Sequence, residues 1–296
     1  MSPGKRGVND VTSAGSAGLA PVAPVFLVDL FPGLHAELMA LLRGLAPDDW
    51  HRPTACALWS VKDIAAHLLD GHVRRLSFGR DGMNAAPDSP ISSHSDLVGY
   101  LNRLNAQWTA AARRISPQLL IELLDFTSEP VHAFFRSLDP HGPAMFSVAW
   151  AGEDTSTNWF DIGREYTERW LHQQQIREAV GAAGLTERRW LHPTLDIFLR
   201  ALPFGYQRVN AGVGHSIRVE IEGPAGGVWT LVRGEGGWAL FTGSEPRPAA
   251  AITLDQEVAW KLFSKGLDRQ SAQARIRIEG DRRLVEPVLA TLAVMA

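Results

Sequence analysis

Residues 159–181 read WFDIGREYTERWLHQQQIREAVG, and the rest of the chain is interpreted outward from this segment. Glu168 and His172 are four residues apart, so a helix places both side chains on one face, with Cβ atoms about 5–6 Å apart. The same line continues to Ile176 and Ala179, which indicates that this face points partly into apolar surroundings. A buried ionisable pair of this kind is explained by a metal ion, a catalytic dyad or a satisfied structural contact.

The composition is that of an ordinary soluble globular protein. The 296 residues are 45% hydrophobic and 21% charged, which is enough material for two packed cores. Because the net charge is −3 and the basic residues are scattered, nucleic acid is not an expected partner. A single cysteine, Cys56, excludes an internal disulfide framework and fits a cytoplasmic location. No apolar run approaches the roughly 18–20 residues of a membrane span, so no membrane partner is expected.

The first two thirds of the chain have the apolar period of helices. Stripes at spacings of three and four predict helices over residues 25–45, 61–80, 95–115 and 117–138, and around the Glu168 and His172 pair as far as Gly181. Ser60 is expected to cap the second helix, with Asp63 completing a variant of the capping box. Short loops between long helices favour a four-helix bundle over residues 25–190. Residues 1–24 are rich in Gly, Ala, Ser and Pro and are predicted to be a disordered tail.

The last third changes to a period of two. Residues 215–221, 228–232 and 238–241 alternate apolar and polar side chains between glycine-rich turns, which predicts a three-stranded antiparallel meander. Two further strands and two helices follow, at residues 250–254 and 274–280 and after Asp255 and Asp281. The predicted fold class is therefore α plus α+β: a helical bundle followed by a small α+β domain, residues 191–296, with a mainly antiparallel sheet.

The candidate chemistry lies in histidines and carboxylates, since nucleophile-elbow, phosphate-loop and dinucleotide motifs are missing. His67 lies on a helix that would face the helix of Glu168 and His172. Two imidazoles and one carboxylate with an open position describe a catalytic site for zinc or a similar divalent ion. Glu165 shares the face, so spacing alone leaves either glutamate as the ligand. Asp63 is either an orienting partner for His67 or a helix-start residue.

Residues 45–72, LAPDDWHRPTACALWSVKDIAAHLLDGH, resemble the N-terminal signature of the mycothiol-dependent maleylpyruvate isomerase family, whose members have a DinB-like four-helix bundle. The glutamate four residues before a histidine, followed by Ala-Val-Gly at residues 179–181, resembles its second signature. The resemblance implies a divalent metal, usually zinc, held by His67, Glu168 and His172, with mycothiol as the thiol cosubstrate. The C-terminal domain resembles a sterol-carrier-like unit.

The expected function is that of a cytoplasmic metal-dependent enzyme in which a metal-activated thiolate adds to a small electrophilic or acidic substrate. The outcome is either cis-trans isomerisation or S-transfer, and the metal site does not choose between them. The sequence leaves the substrate, the native metal and the oligomeric state open. The alternative is a non-catalytic small-molecule binding protein with a structural metal or none.

Two arginines of the last strand are candidates for binding substrate or thiol. Arg275 and Arg277 alternate with Ile276 and Ile278 and therefore share the face opposite the core. They are either an exposed pair or the source of one guanidinium that reaches the cleft between the domains and binds a carboxylate, with Arg277 as the preferred candidate.

Overall fold

The computed structural model describes residues 18–83, 87 and 89–294, and five long helices fill the first part of this range. The helices are α1 (Phe31–Arg43), α2 (Val61–Arg74), α3 (His94–Ala112), α4 (Pro117–Ser137) and α5 (Asn158–Val180). A 3-10 turn precedes α1, so this helix begins later than the predicted residue 25, with Pro32 in its first turn. A π-helical turn, Arg75–Arg80, continues α2.

Local sequence signals fix the ends of the two helices that matter most here. The Ser60 hydroxyl accepts a hydrogen bond from the Asp63 backbone N–H (3.3 Å), and the Asp63 carboxylate accepts one from the Ser60 N–H (3.0 Å). This is the predicted capping box at the start of α2. The second signal is the glycine after α5: Gly181 adopts the left-handed conformation (φ +70°) and ends this helix.

The long helices pack as the predicted bundle. Helices α1 and α2 each contact α4 and α5, and α3 lies against α2. Their shared core buries leucine and isoleucine side chains that recur at helical spacing, among them Leu38, Leu42, Ile64, Leu120, Leu124 and Ile176. Each such side chain contributes about 1.5–3 kcal/mol when it is fully buried. No helix within the described residues is both long and apolar enough to cross a lipid bilayer.

The second half of the chain forms a six-stranded sheet with short helices. The strands are β1 (Leu19–Pro21), β2 (Ser216–Glu222), β3 (Gly227–Gly234), β4 (Gly237–Gly243), β5 (Ala250–Asp255) and β6 (Ile276–Gly280). The helices are α6 (Arg188–Leu199), α7 (Leu202–Gly205), α8 (Gln256–Phe263), α9 (Arg269–Gln273) and α10 (Arg282–Ala290). The strand order is β1-β4-β3-β2-β5-β6, and only the β2–β5 pair is parallel in this sheet. The prediction of a mainly antiparallel sheet is confirmed.

Strand β1 corrects the prediction of a disordered tail over residues 1–24. Leu19 pairs with Gly243 and Pro21 with Phe241, so residues 19–21 form the edge strand beside β4. A proline is tolerated there because an edge strand leaves one side of its backbone unpaired. The first 17 residues of the predicted tail lie outside the described part of the chain.

The bundle and the sheet are joined by aromatic packing at α5. The Tyr166 hydroxyl donates a hydrogen bond to the Trp190 carbonyl oxygen (3.0 Å), and the Trp170 ring meets the Trp260 ring edge to face at 5.4 Å. One buried core continues from these residues into the sheet. The division of the chain into domains at residue 190 stays a prediction, since this core spans it.

Candidate metal centre

The three residues predicted as ligands lie together where α2 packs against α5. His67, Glu168 and His172 each offer one ligand atom, and these atoms lie within 4.8 Å of one another. His172 Nε2 is 3.3 Å from Glu168 Oε2, and the two imidazole rings meet edge to face with centroids 4.7 Å apart. The structure therefore brings together the side chains that spacing suggested, while their role as metal ligands stays a prediction.

The donor set fits a divalent ion. Nitrogen and oxygen ligands lie about 2.0–2.2 Å from zinc, so two of them on one ion are separated by up to about 4 Å, and small side-chain movements would close the cluster. Within the described part of the chain, His67 Nδ1 is buried and has no hydrogen-bond partner. A buried polar atom without a partner needs an explanation, and an ion shared with the neighbouring imidazole and carboxylate supplies one.

The electrostatics of the cluster give its members different protonation states. Burial, assisted by His172, lowers the pKa of His67 to about 3, so its imidazole is neutral. Burial also lowers the pKa of His172, but its interactions with Cys56 and with Glu168 outweigh it and raise the pKa to about 10. Burial raises the pKa of Glu168, yet the hydrogen bond and charge of His172 outweigh it and hold the pKa below its usual value.

Glu165, the alternative ligand, has other partners. Its carboxylate lies 3.0 Å from a guanidinium nitrogen of Arg75 and 3.0 Å from one of Arg164. Arg75 also binds both oxygens of Asp161, at 2.6 and 2.7 Å. Burial raises the pKa of Glu165, but the charges of the surrounding arginines lower it much further. The geometry thus places Glu168 in the candidate centre and Glu165 in a buried ion cluster.

The remaining sequence-predicted residues lie elsewhere. The Asp63 carboxylate is occupied by the capping box, so Asp63 serves as a helix-start residue. Ile276 and Ile278 pack against the core, as predicted, and the exposed Arg277 pairs with Glu222, which is also exposed, at 2.6 Å. Across the described residues, no hydrogen bond or ion pair links Arg275 or Arg277 to the centre. Their role in binding substrate or thiol stays a prediction.

Three residues beside the centre were not predicted. Gln175 Oε1 lies 2.8 Å from His172 Nδ1 and 3.3 Å from Cys56 Sγ. The Trp59 ring lies 4.8 Å from the His67 ring and 5.9 Å from that of His172. The spacing of three residues between His172 and Gln175 was a usable signal, because such pairs are neighbours on a helix. The contact of Cys56 is non-local and left no trace in the sequence.

The family comparison agrees with the helical half of this description. The sequence model of the mycothiol maleylpyruvate isomerase N-terminal domain matches residues 31–177, which include all three residues of the candidate centre. The crystal structure of the mycothiol-dependent maleylpyruvate isomerase is similar with a TM-score of 0.49 and 10% identity, over 79% of this chain and 86% of that one. The UbiJ-SCP2 ubiquinone synthesis protein has a TM-score of 0.25 and 20% identity, over 36% of this chain and 89% of that one. No curated protein sequence matches.

Proposed function

Because the helical half of this chain belongs to the mycothiol maleylpyruvate isomerase N-terminal domain family, we propose that the protein is a metal-dependent enzyme that uses a low-molecular-weight thiol. The observation that carries the proposal is the cluster of His67, Glu168 and His172, whose ligand atoms lie within 4.8 Å of one another inside the matched region. The cytoplasmic location expected from the single cysteine remains part of the proposal.

The chain's own residues have distinct parts in this proposal. His67, Glu168 and His172 would hold the ion, and two nitrogens with one oxygen suit zinc while leaving a position for an external ligand. A bound divalent ion lowers the pKa of a coordinated thiol and so supplies a thiolate at neutral pH. The Trp59 ring, 4.8 Å from the His67 ring and 5.9 Å from the His172 ring, would limit the access of water on that side of the centre. Glu168 is the one anionic donor and neutralises part of the charge of the ion.

The family name supports mycothiol as the thiol and a maleyl-type acid as a substrate. Addition of the thiolate to one carbon of a cis double bond leaves a single bond that can rotate, and elimination of the thiolate then gives the trans isomer. If the adduct instead takes up a proton on the neighbouring carbon and is released as a thioether, the reaction is S-transfer. Both reactions need the same thiolate, so the three residues of the centre serve either one.

Metal content tests the centre directly. The purified chain should carry about one divalent ion, whereas His67→Ala and His172→Ala should lose most of it. His215→Ala is the matched control, because His215 is exposed and its Nδ1 lies 2.9 Å from a nearby loop carbonyl, that of Gly212. Elemental analysis of all four proteins is the measurement, and equal metal content throughout would rule out this site.

Product analysis tests the activity. The metal-loaded chain is incubated with mycothiol and a panel of maleyl-type acids and other electrophiles, and the products are followed by proton NMR. A trans isomer identifies an isomerase and a stable thioether identifies an S-transferase. The His67→Ala variant and chelator-treated protein should form neither product. If the loaded wild type also forms neither, the enzyme proposal fails and the non-catalytic binding protein becomes the better description.

A further inference from the structure

The contact between His172 and Gln175 separates the two nitrogens of one imidazole. Nδ1 lies 2.8 Å from Gln175 Oε1, whereas Nε2 lies 3.3 Å from Glu168 Oε2. We propose that Gln175 is a positioning residue, which holds the ring hydrogen on Nδ1 and so reserves Nε2 of His172 for the ion. This inference rests on the proposed metal centre, but its test can fail while the centre stands.

The chemistry of the amide oxygen gives the direction of the hydrogen bond. A carbonyl oxygen can only accept, so the hydrogen of this contact must lie on Nδ1. When His172 binds an ion as a neutral ring, its only lone pair is then on Nε2, the nitrogen beside Glu168. Metal-binding histidines commonly donate their second N–H to a carbonyl or carboxylate, which fixes both the tautomer and the plane of the ring.

Cys56 supports this orientation of the Gln175 amide. Its Sγ lies 3.3 Å from the same Oε1, so two donors converge on one oxygen. The thiol is held there by its loop, because Thr54 Oγ1 donates to the Trp59 carbonyl oxygen (2.8 Å) and the Cys56 N–H donates to Thr54 Oγ1 (3.2 Å). Turning the amide over would lose both contacts to the oxygen. The loop before α2 thereby reaches a side chain of α5 that orients a predicted ligand.

The other histidine of the centre has no comparable support. Within the described residues, neither ring nitrogen of His67 has a hydrogen-bond partner, so whichever nitrogen faces the ion, the other is not held by an acceptor. Gln175 is itself buried, with 7% of its surface exposed, so its amide has few alternative partners. His172 is thus the histidine of the centre whose ring is held by a side-chain acceptor. Removing the Gln175 amide should therefore leave the His172 ring free to turn.

The test is the affinity of the full chain for Zn²⁺, measured by competition with a chromophoric chelator. Gln175→Leu should raise the dissociation constant about 10–100-fold, the usual cost of losing such a partner. Gln175→Glu should bind at least as tightly as wild type, because a carboxylate accepts a stronger hydrogen bond from the imidazole. Gln118→Leu is the matched control on the surface of α4, where the Gln118 amide donates a hydrogen bond to Glu122, and should leave the constant unchanged.

A second readout reports the ring directly. Long-range proton–nitrogen NMR spectra of the Zn²⁺-loaded wild type should show His172 Nδ1 carrying the hydrogen. An unchanged dissociation constant in Gln175→Leu, or a spectrum with the ion on Nδ1, would overturn the positioning role and leave the metal centre intact. If the wild type binds no Zn²⁺, the metal centre and this inference both fail. Should Gln175→Leu prove unfolded by circular dichroism, Gln175→Glu and the wild-type spectrum still decide the question.

Discussion

Binding of Zn²⁺ to the candidate centre should release one proton, and the affinity should rise about tenfold for each pH unit between pH 6.5 and 8.5. The pKa of His172 is raised to about 10, so its ring carries a proton throughout this range. The pKa of His67 is lowered to about 3 and that of Glu168 is lowered as well, so both groups are already deprotonated in this pH range. Only His172 must give up a proton to the solvent, and acid therefore weakens binding.

Titration calorimetry is suited to this prediction. Zn²⁺ is titrated into metal-free protein at one pH in two buffers that differ in their enthalpy of ionisation. The difference between the observed enthalpies gives the number of protons released, which should be close to one at pH 7.5, since that pH lies about 2.5 units below the pKa of His172. Chelator competition at several pH values supplies the dissociation constants for the slope.

A matched variant tests whether the charge of Glu168 helps to keep the His172 ring protonated. Glu168→Gln removes the charge that helps to raise the pKa of His172, so proton release should fall below that of the wild type, together with the affinity. Enthalpies that are the same in both buffers, or an affinity that does not change with pH, would refute the assignment of the proton to His172.

Three further substitutions test the scaffold and the arginine candidates. Ser60→Ala removes the N-cap of α2 and should lower the free energy of unfolding by about 1 kcal/mol in a denaturant titration; no change would contradict the capping role. Arg75→Met leaves the buried Asp161 without its bidentate partner and should cost about 3 kcal/mol, while the double variant with Asp161→Leu should recover part of the loss; a cost below that of Ser60→Ala would refute the ion-pair argument. Arg277→Gln breaks an exposed pair and should leave the free energy of unfolding nearly unchanged, so a large rise in KM for the substrate would show the predicted binding role separately from folding.

The parts of the fold that follow from local chemistry were predictable from the sequence. Ser60 and Asp63 satisfy each other's backbone N–H groups within four residues, and this signal places the start of α2 correctly. The meander also follows from alternation, because period two commits each strand to one buried face. Strand β1 could not be found in this way, since Leu19 has only a short apolar context and its partner, Gly243, lies more than 200 residues further along the chain.

The choice between Glu165 and Glu168 shows where spacing stops being informative. Both carboxylates lie on one face of α5, so periodicity treats them alike. Their partners come from α2 and its extension: Arg75 lies in the π-helical turn, whose presence no apolar period predicts, and it takes Glu165 into the ion cluster. The hydrogen bond from His172 to Gln175 could have been predicted from their spacing on the helix. The second hydrogen bond to Gln175, from Cys56, could not, because it depends on the conformation of a distant loop.

The pairing of α2 with α5 explains why one helix face carries two kinds of site. Going forward along the chain from His67 to Arg75, the partners on α5 move backward from His172 to Asp161, so the two helices run antiparallel. Eight residues correspond to about 12 Å of helix, which is about two turns. This offset keeps the guanidinium of Arg75 away from Glu168 while it holds Asp161 and its neighbour Glu165.

The ion cluster also has a consequence for the centre. Arg75, Arg164 and Arg169 carry three positive charges against the two negative charges of Asp161 and Glu165, so the cluster has one excess positive charge. Glu168 is the next carboxylate along the helix. Burial raises its pKa, but the hydrogen bond and charge of His172 outweigh it, and the charge of Arg164 adds a smaller lowering in the same direction. Glu168 is therefore held ionised before any metal arrives, which a carboxylate ligand requires. The buried arginines thus stabilise the packing of α5 and, at the same time, the charge state of the one anionic donor in the centre.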